Sequence, residues 1–269
     1  SRDFYKDFGG DATAYQAASN DLLGQKILSD IGLTGLSLVP YAVVDYRGHR
    51  LIAQCMIPGL FDALQKDESS VVQYGLLNDK RINTDETFHS LLQNHAKALH
   101  LQEHKVKDAE GKVVSLVASP DLKGVMARDK RRYLVEATRL TPRDANYREP
   151  HHIACLLRPE LIANYIAKKT REIADKRVTE KLKAKEDAKT PEQREADRKA
   201  LETKRKEDPI AAALEEREEY LKLLQEEDIE APDLRFNVDL LVPNVELADD
   251  EATLKEQEEL LNELARYLR

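Results

Sequence analysis

Between Lys168 and Asp208, 26 of 41 residues are charged, 15 basic and 11 acidic, and almost nothing in that tract can be buried. Such a stretch cannot build a core, so a packed body has to come from the rest of the chain. Thr190-Pro191-Glu192 and Asp208-Pro209 each read as a cap followed by proline at the first helical position. The tract therefore divides into separate helices. Helices of mixed sign read first as solvated faces laced with i,i+4 pairs; the functional alternative is an arm that contacts RNA or a protein partner. The same composition also suits partial disorder.

The 269 residues allow one large domain or two smaller ones. Hydrophobic residues make up 41%, and no apolar run reaches transmembrane length, so a soluble protein is expected. No charged-then-apolar leader is visible, and the chain opens Ser1-Arg2, as a piece cut from a longer protein would. Cys55 and Cys155 are too few for a disulfide framework and suit a reducing compartment. A formal charge of −8 argues against a wholly basic nucleic-acid binder, but the charge is unevenly placed.

Residues 1–150 hold most of the glycines, aromatics and β-branched runs. Gly9-Gly10 reads as a turn with Asp11 as a cap. Val43–Gly59 reads as a tight β-hairpin turning at Asp45-Tyr46-Arg47-Gly48 and ended by Pro58-Gly59. Its alternating Leu51, Ala53, Cys55 and Ile52, Gln54, Met56 predict sheet packing, with Arg47, His49 and Arg50 the groups able to reach a ligand. Asp85–His104 reads as a helix with Phe88, Leu91, Leu92, Ala96 and Leu99 on one face. Val113–Val117 and Tyr133–Ala137 read as a second strand pair, joined by the loop SPDLKGVMARDKRR. The fold class is α+β: a mixed body over 1–150, then a helical part over 151–269. That part comprises charged helices over 158–228, an extended link over 231–244, and a terminal helix over 249–268. The link is bounded by prolines, and the last helix starts on Asp249-Asp250-Glu251, acids suited to a helix N-terminus.

His100-Leu101-Gln102-Glu103-His104 has the H-x-x-E-H spacing of an inverted zincin, which would set two imidazoles one turn apart on a helix. Zinc hydrolysis needs a third ligand that the sequence does not single out, and a helix terminus explains the motif as well. There is no phosphate-binding GxxxxGK[ST] loop, no GxGxxG and no G-x-S-x-G. The order of strands and helix faintly resembles a protein kinase, but the strand lysine and DFG are lacking, so a kinase-like fold would be catalytically silent. The reading is therefore of a non-enzyme without cofactor, catalytic residue or metal site.

Binding chemistry has more support. From Lys123 to Arg148 eight basic residues stand against three acids, with Tyr133 and Tyr147 among them. Guanidinium groups grip phosphates bidentately and aromatic rings stack on unpaired bases, so Lys130, Arg131, Arg132, Tyr133, Arg139 and Arg143 are candidates for RNA contact. Arg131 and Tyr133 share a strand face. The plainer alternative is a solubilising hairpin with ion pairs to nearby acids.

YKDFGGD, NDLLG at Asn20–Gly24, VVDYRGHRLIAQCMIPG, YGLLND at Tyr74–Asp79, LHLQEH, DLKG at Asp121–Gly124, RDKRRYLVEATRLTPRDANY, CLLRPELI and FNVDLLVPNV occur here in that order. Together they resemble the Clu domain of the clustered mitochondria family over nearly the whole chain. Two positions depart from its pattern: Lys130 replaces a glycine within the family's DGR, and Glu136 replaces an aspartate. The resemblance implies a large cytoplasmic protein that binds messenger RNAs for nuclear-encoded mitochondrial proteins and supports mitochondrial distribution. The implied partners are mRNA, the ribosome or the translation initiation factor three complex, and a tetratricopeptide array of the same protein, with no membrane insertion. The alternative is a protein interaction module on the translation machinery without direct RNA contact.

Overall fold

The computed structural model describes residues 10–60, 71–78, 80–226 and 229–267. The YKDFGG segment up to Gly9, Asp79 of YGLLND and Leu268 of the last helix lie outside them. The architecture is α+β, with elements in the order α1 (Gly10–Ile31), β1 (Ser37–Leu38), β2 (Tyr41–Tyr46), β3 (His49–Gln54), β4 (Val72–Leu76), β5 (Ile82–Asn83) and α2 (Glu86–Leu99). There follow β6 (His104–Lys107), β7 (Val113–Leu116), β8 (Lys123–Met126), β9 (Arg132–Val135), α3 (Pro159–Asp187), α4 (Pro191–Glu207), α5 (Pro209–Glu226), β10 (Glu246–Leu247) and α6 (Glu251–Arg266).

The main sheet has the order β1-β9-β8-β4-β5, with β1 parallel to β9 and the other pairs antiparallel. It separates two apolar clusters. On one side Phe88, Leu92 and Ala96 of α2 pack with Leu28 of α1, Tyr74 and Leu134. On the other, Val39, Ile57, Val72 and Val125 pack together, with Tyr133 and Val135 partly buried against them. Val72 and Tyr74 are two residues apart yet face opposite clusters, because the β4–β8 register shifts between them. Gly124 has no side chain for a physical reason: a Cβ there would stand 2.7 Å from Cδ1 of Phe88 and 2.9 Å from Cβ of Tyr74.

Two expected elements are redrawn. The Val113–Val117 and Tyr133–Ala137 runs do not pair with each other. The loop between them contains β8, which pairs with β9, while β7 pairs with β6 in a smaller sheet of order β10-β6-β7. The helix expected to run to His104 stops at Leu99. His100 adopts a left-handed conformation at φ 55°, and its N–H closes on the carbonyls of Ala96 and Lys97. His104 is therefore a strand residue, and the two histidines of H-x-x-E-H are not one helical turn apart.

The β2–β3 hairpin forms as its sequence predicts. Arg47 and Gly48 both take positive φ, 49° and 79°, the geometry a two-residue turn needs to follow the strand twist. It is not sheet framework, however. The hairpin is a two-stranded sheet of its own, and its apolar side chains are exposed.

The chain divides into two compact units on lines other than 1–150 and 151–269. One comprises 1–162 with 233–269; the other is 163–232, carried as an insertion. The C-terminal segment belongs to the first unit because its apolar residues complete that core. Phe236 bridges to Leu101, β10 pairs with β6, and Val238 joins the α2 cluster. Within the second unit, Thr190 forms a full capping box with Gln193, and Asp208 accepts the N–H groups of Ile210 and Ala211. Both caps lie where the Thr-Pro and Asp-Pro pairs place them. Ala174, Val178 and Leu223 of this unit are buried, and the Tyr220 hydroxyl donates to Asp175.

Candidate nucleic-acid interface

Residues 127–131 form the turn between β8 and β9. Ala127 and Arg131 close it through an N–H to carbonyl bond of 3.0 Å, and Lys130 takes φ 65°. A side chain at positive φ carries a conformational cost, so Lys130 sits at the tip in a conformation that glycine adopts more readily. Asp129 organises the turn: its carboxylate accepts the Arg131 N–H at 3.1 Å and the Tyr133 hydroxyl at 2.9 Å, with the Arg131 guanidinium at 3.8 Å. Asp129 thus brings Arg131 and Tyr133 together, but not by a shared strand face: Arg131 lies in the turn and β9 begins at Arg132. Lys130 and Arg131 are exposed, whereas Arg132 and Tyr133 are half-buried. The hairpin exit braces the turn. Arg128 donates its N–H to the Pro58 carbonyl at 3.0 Å, and a Cβ on Gly59 would stand 2.8 Å from that of Arg128.

The other two arginines lie inside. Arg143 is 2% exposed and donates to the carbonyls of Leu241 at 2.5 Å and Glu149 at 2.6 Å. Burial lowers its pKa. Arg139 is also buried and donates Nε to Asp239 at 2.9 Å, with a second nitrogen 2.8 Å from Asp239 and 3.1 Å from Asp121. Of the six candidates for RNA contact, four therefore gather at the turn and two serve as internal struts. The sequence counts charges in a window but cannot tell which of them turn inward after a strand ends.

Asp239 is the residue that sequence reasoning missed. It lies fully buried in the apolar run FNVDLLVP, and that setting was its available signal, since a buried carboxylate requires a cation. Its second oxygen is 2.7 Å from His104 Nε2, while His104 Nδ1 is 2.9 Å from the Gln102 carbonyl. Burial opposes charge on both, but attraction prevails: Arg139 and His104 hold the Asp239 carboxyl below its ordinary range, and Asp239 raises the His104 imidazole above its own. The cluster is an electrostatic clamp between the body and the returning 233–249 segment. His100 instead meets the Leu234 carbonyl at 3.2 Å, and among the described residues no group of three or more His, Cys, Asp or Glu is placed to hold a metal.

A cavity of about 490 Å³ opens beside this clamp, lined among others by Asn20, Asn78, Asp121, Lys123, Arg139 and Asn244. Each comes from a different stretch of chain or from the turn-bearing strands, so motifs far apart in sequence converge on one concavity. Its charges are largely matched internally, with Lys123 at 3.1 Å from Glu136 and Arg139 held between Asp121 and Asp239. It reads as a polar seam of the fold.

The described body is thus α+β, presents a braced basic turn and is locked by a buried ion cluster. A family model described as Clustered mitochondria matches residues 1–147, and the chain belongs to that family. It is 43% identical over 152 residues to the Clustered mitochondria protein of Arabidopsis thaliana, covering 56% of this chain and 11% of that protein. With the Clustered mitochondria protein homolog of Dictyostelium discoideum it shares 32% identity over 263 residues, 89% of this chain and 19% of the relative. With the Homo sapiens homolog it shares 33% over 184 residues, 61% of this chain and 14% of the relative. The chain thus spans less than a fifth of the length of these relatives. No solved structure matches it. No helix among the described residues is long and apolar enough to cross a membrane.

Proposed function

We propose that this chain is the non-catalytic mRNA-binding and scaffolding part of a cytoplasmic clustered mitochondria protein, supporting expression of nuclear-encoded mitochondrial proteins and mitochondrial distribution. The observation that carries the RNA reading is the exposed turn of Lys130 and Arg131, flanked by Arg132 and Tyr133, in a chain that is acidic overall. Lysine and arginine at a turn tip neutralise phosphates, and a tyrosine beside them offers a ring to an unpaired base. Arg139 and Arg143 are buried and bonded within the fold, so the contact is assigned to the exposed turn. The test is binding of single-stranded RNA to the purified chain at low salt, repeated with Arg131→Glu plus Arg132→Glu. The double variant should lose most of the affinity while keeping its thermal midpoint; unchanged affinity rejects this surface.

A second reading has its own support in the inserted unit. Helix α4 has no buried residue, and its faces carry ion pairs such as Lys189 with Asp197 at 2.7 Å and Arg198 with Glu195 at 3.3 Å. A helix with no core to serve suits an arm that docks on the translation machinery, including the initiation factor three complex. If the chain binds no RNA at low salt yet retains that complex, the scaffold reading replaces the first.

A further inference from the structure

Two turns of the main sheet are built alike. Asn78-Asp79-Lys80-Arg81 joins β4 to β5, and Arg128-Asp129-Lys130-Arg131 joins β8 to β9. Leu77 donates its N–H to the Arg81 carbonyl at 2.8 Å, as Ala127 does to the Arg131 carbonyl at 3.0 Å. Lys80 donates back to the Leu77 carbonyl and Lys130 to the Ala127 carbonyl, both at 3.0 Å. The two lysines take φ 66° and 65°, a conformation that carries a cost for any side chain. The tripeptide alone does not dictate this, since Asp175-Lys176-Arg177 is helical within α3. Leu77 and Ala127 belong to one apolar cluster, so both turns start on the same side of the sheet.

We propose that the Lys80 turn is a second phosphate-contact point for the single-stranded RNA that the Lys130 turn binds. The assignment rests on the RNA reading of that first turn. Lys80 is exposed and makes no ion pair among the described residues. Acids on adjoining segments are already engaged. The Asp108 carboxylate accepts the N–H groups of Glu110 and Lys112, and Asp121 lies 3.1 Å from Arg139. Of the cations lining the neighbouring cavity, Lys123 and Arg139 are matched to carboxylates, which leaves Lys80 to meet an anion from outside. An ammonium is a point charge with three donors, suited to phosphate oxygens and indifferent to the base. One strand can reach both turns. Met126, next to the Lys130 turn, donates to the Val71 carbonyl, and six residue steps through β4 lead from Val71 to Leu77. At about 3.3 Å per residue the turns stand about 20 Å apart. A bound segment of about 12 nucleotides spans that distance, within the range of about 4 to 16 for single-strand sites.

Fluorescence anisotropy of an oligouridylate of about 12 nucleotides on the purified chain, across a salt series, tests the assignment. Lys80→Gly removes the ammonium at a φ that glycine adopts freely, so the thermal midpoint should hold or rise. It should weaken binding about twofold to fivefold, the worth of one exposed ion pair, and reduce the salt slope by about 0.7 to 1. Lys112→Ala removes an equal charge from an exposed position on the loop between β6 and β7, and should change neither quantity. With 4-thiouridine throughout, the same oligomer should crosslink to the peptides of both turns. Equal losses from Lys80→Gly and Lys112→Ala overturn the proposal, because net charge then explains both. Crosslinks confined to the Lys130 turn also overturn it, as does unchanged affinity in Lys80→Gly. If Lys130→Ala still weakens binding in that case, the RNA reading of the first turn stands without the second. A chain that binds no RNA at low salt overturns both.

Discussion

Asp239 accepts a hydrogen bond from His104 at 2.7 Å with neither side chain exposed, and the two residues are 135 positions apart in the chain. That contact, with Arg139 on the other carboxylate oxygen, fixes the 233–249 segment to the body. Removing the shared carboxylate leaves the imidazole buried without its counter-charge and the guanidinium with Asp121 alone. Asp239→Asn is expected to cost about 3–5 kcal/mol, the range for breaking a buried pair from one side. Urea unfolding of the two proteins measures it; a loss below about 1 kcal/mol would show the cluster to be solvated, as surface pairs of that worth are.

The pH dependence follows from the same pair. The His104 pKa is raised from 6.5 in the folded chain, so its contribution is complete below that value and is lost as pH rises through the folded pKa. Asp239 is lowered from 3.8, so its contribution is present above that value and is lost as pH falls through the folded pKa. Stability should therefore decline as pH rises above 6.5 and through the raised pKa of His104. His104→Gln should flatten that decline while leaving the acid limb in place. Thermal midpoints recorded from about pH 2 to about pH 9 read both limbs, and an unchanged slope above pH 6.5 in His104→Gln sinks the assignment.

Local chemistry was legible in the sequence, and long-range chemistry was not. The hairpin turn at Arg47-Gly48, the Thr190 and Asp208 caps, and the Asp250 cap of α6, which accepts the Thr253 N–H at 2.9 Å, each depend on neighbours a few residues away. Strand β8 escaped because KGVM is short, contains a glycine and sits among turn residues; it is a strand because Tyr74 and Phe88 close over Gly124. Arg139 and Asp239 are 100 positions apart, and no periodicity connects them. The hairpin alternation predicted the strands correctly but not their burial, because period two describes a pleat whether or not anything covers it.

The two classes of arginine predict opposite phenotypes. Lys130→Ala and Arg131→Ala should each lower RNA affinity and reduce the salt slope by about 1, the loss of one phosphate contact, with the melting curve unchanged. Arg143→Ala should do the reverse. It orphans the carbonyls of Leu241 and Glu149 and opens a gap in the interior, so stability falls by about 2 kcal/mol or more. RNA titrations across a salt series, paired with unfolding curves, separate the two. An Arg143→Ala protein that melts normally but loses RNA would return Arg143 to the contact surface.

Gly24 tests the packing of α1 on the sheet. In an exposed helix interior, glycine to alanine gains up to about 1 kcal/mol by restricting the unfolded chain. Here a Cβ would stand 2.0 Å from the Ala137 carbonyl oxygen and 2.8 Å from the Ala137 Cβ, just beyond the end of β9. Backbone cannot swing aside as a side-chain end can, so α1 must shift. That movement would strain the Asn20 bond to the Ala154 carbonyl, 2.9 Å long, one turn earlier on the same helix. The sign of the substitution therefore inverts, and Gly24→Ala should destabilise the chain by about 1–3 kcal/mol, the usual cost of overpacking. Gly32→Ala gives no steric counterpart, since nothing lies within 4 Å of its Cβ position, and its φ of 68° makes its own cost one of conformation alone. Chemical denaturation of both variants, with α1 amide exchange followed in parallel, distinguishes the two: fast exchange across Asn20–Leu28 in Gly24→Ala and near-native protection there in Gly32→Ala.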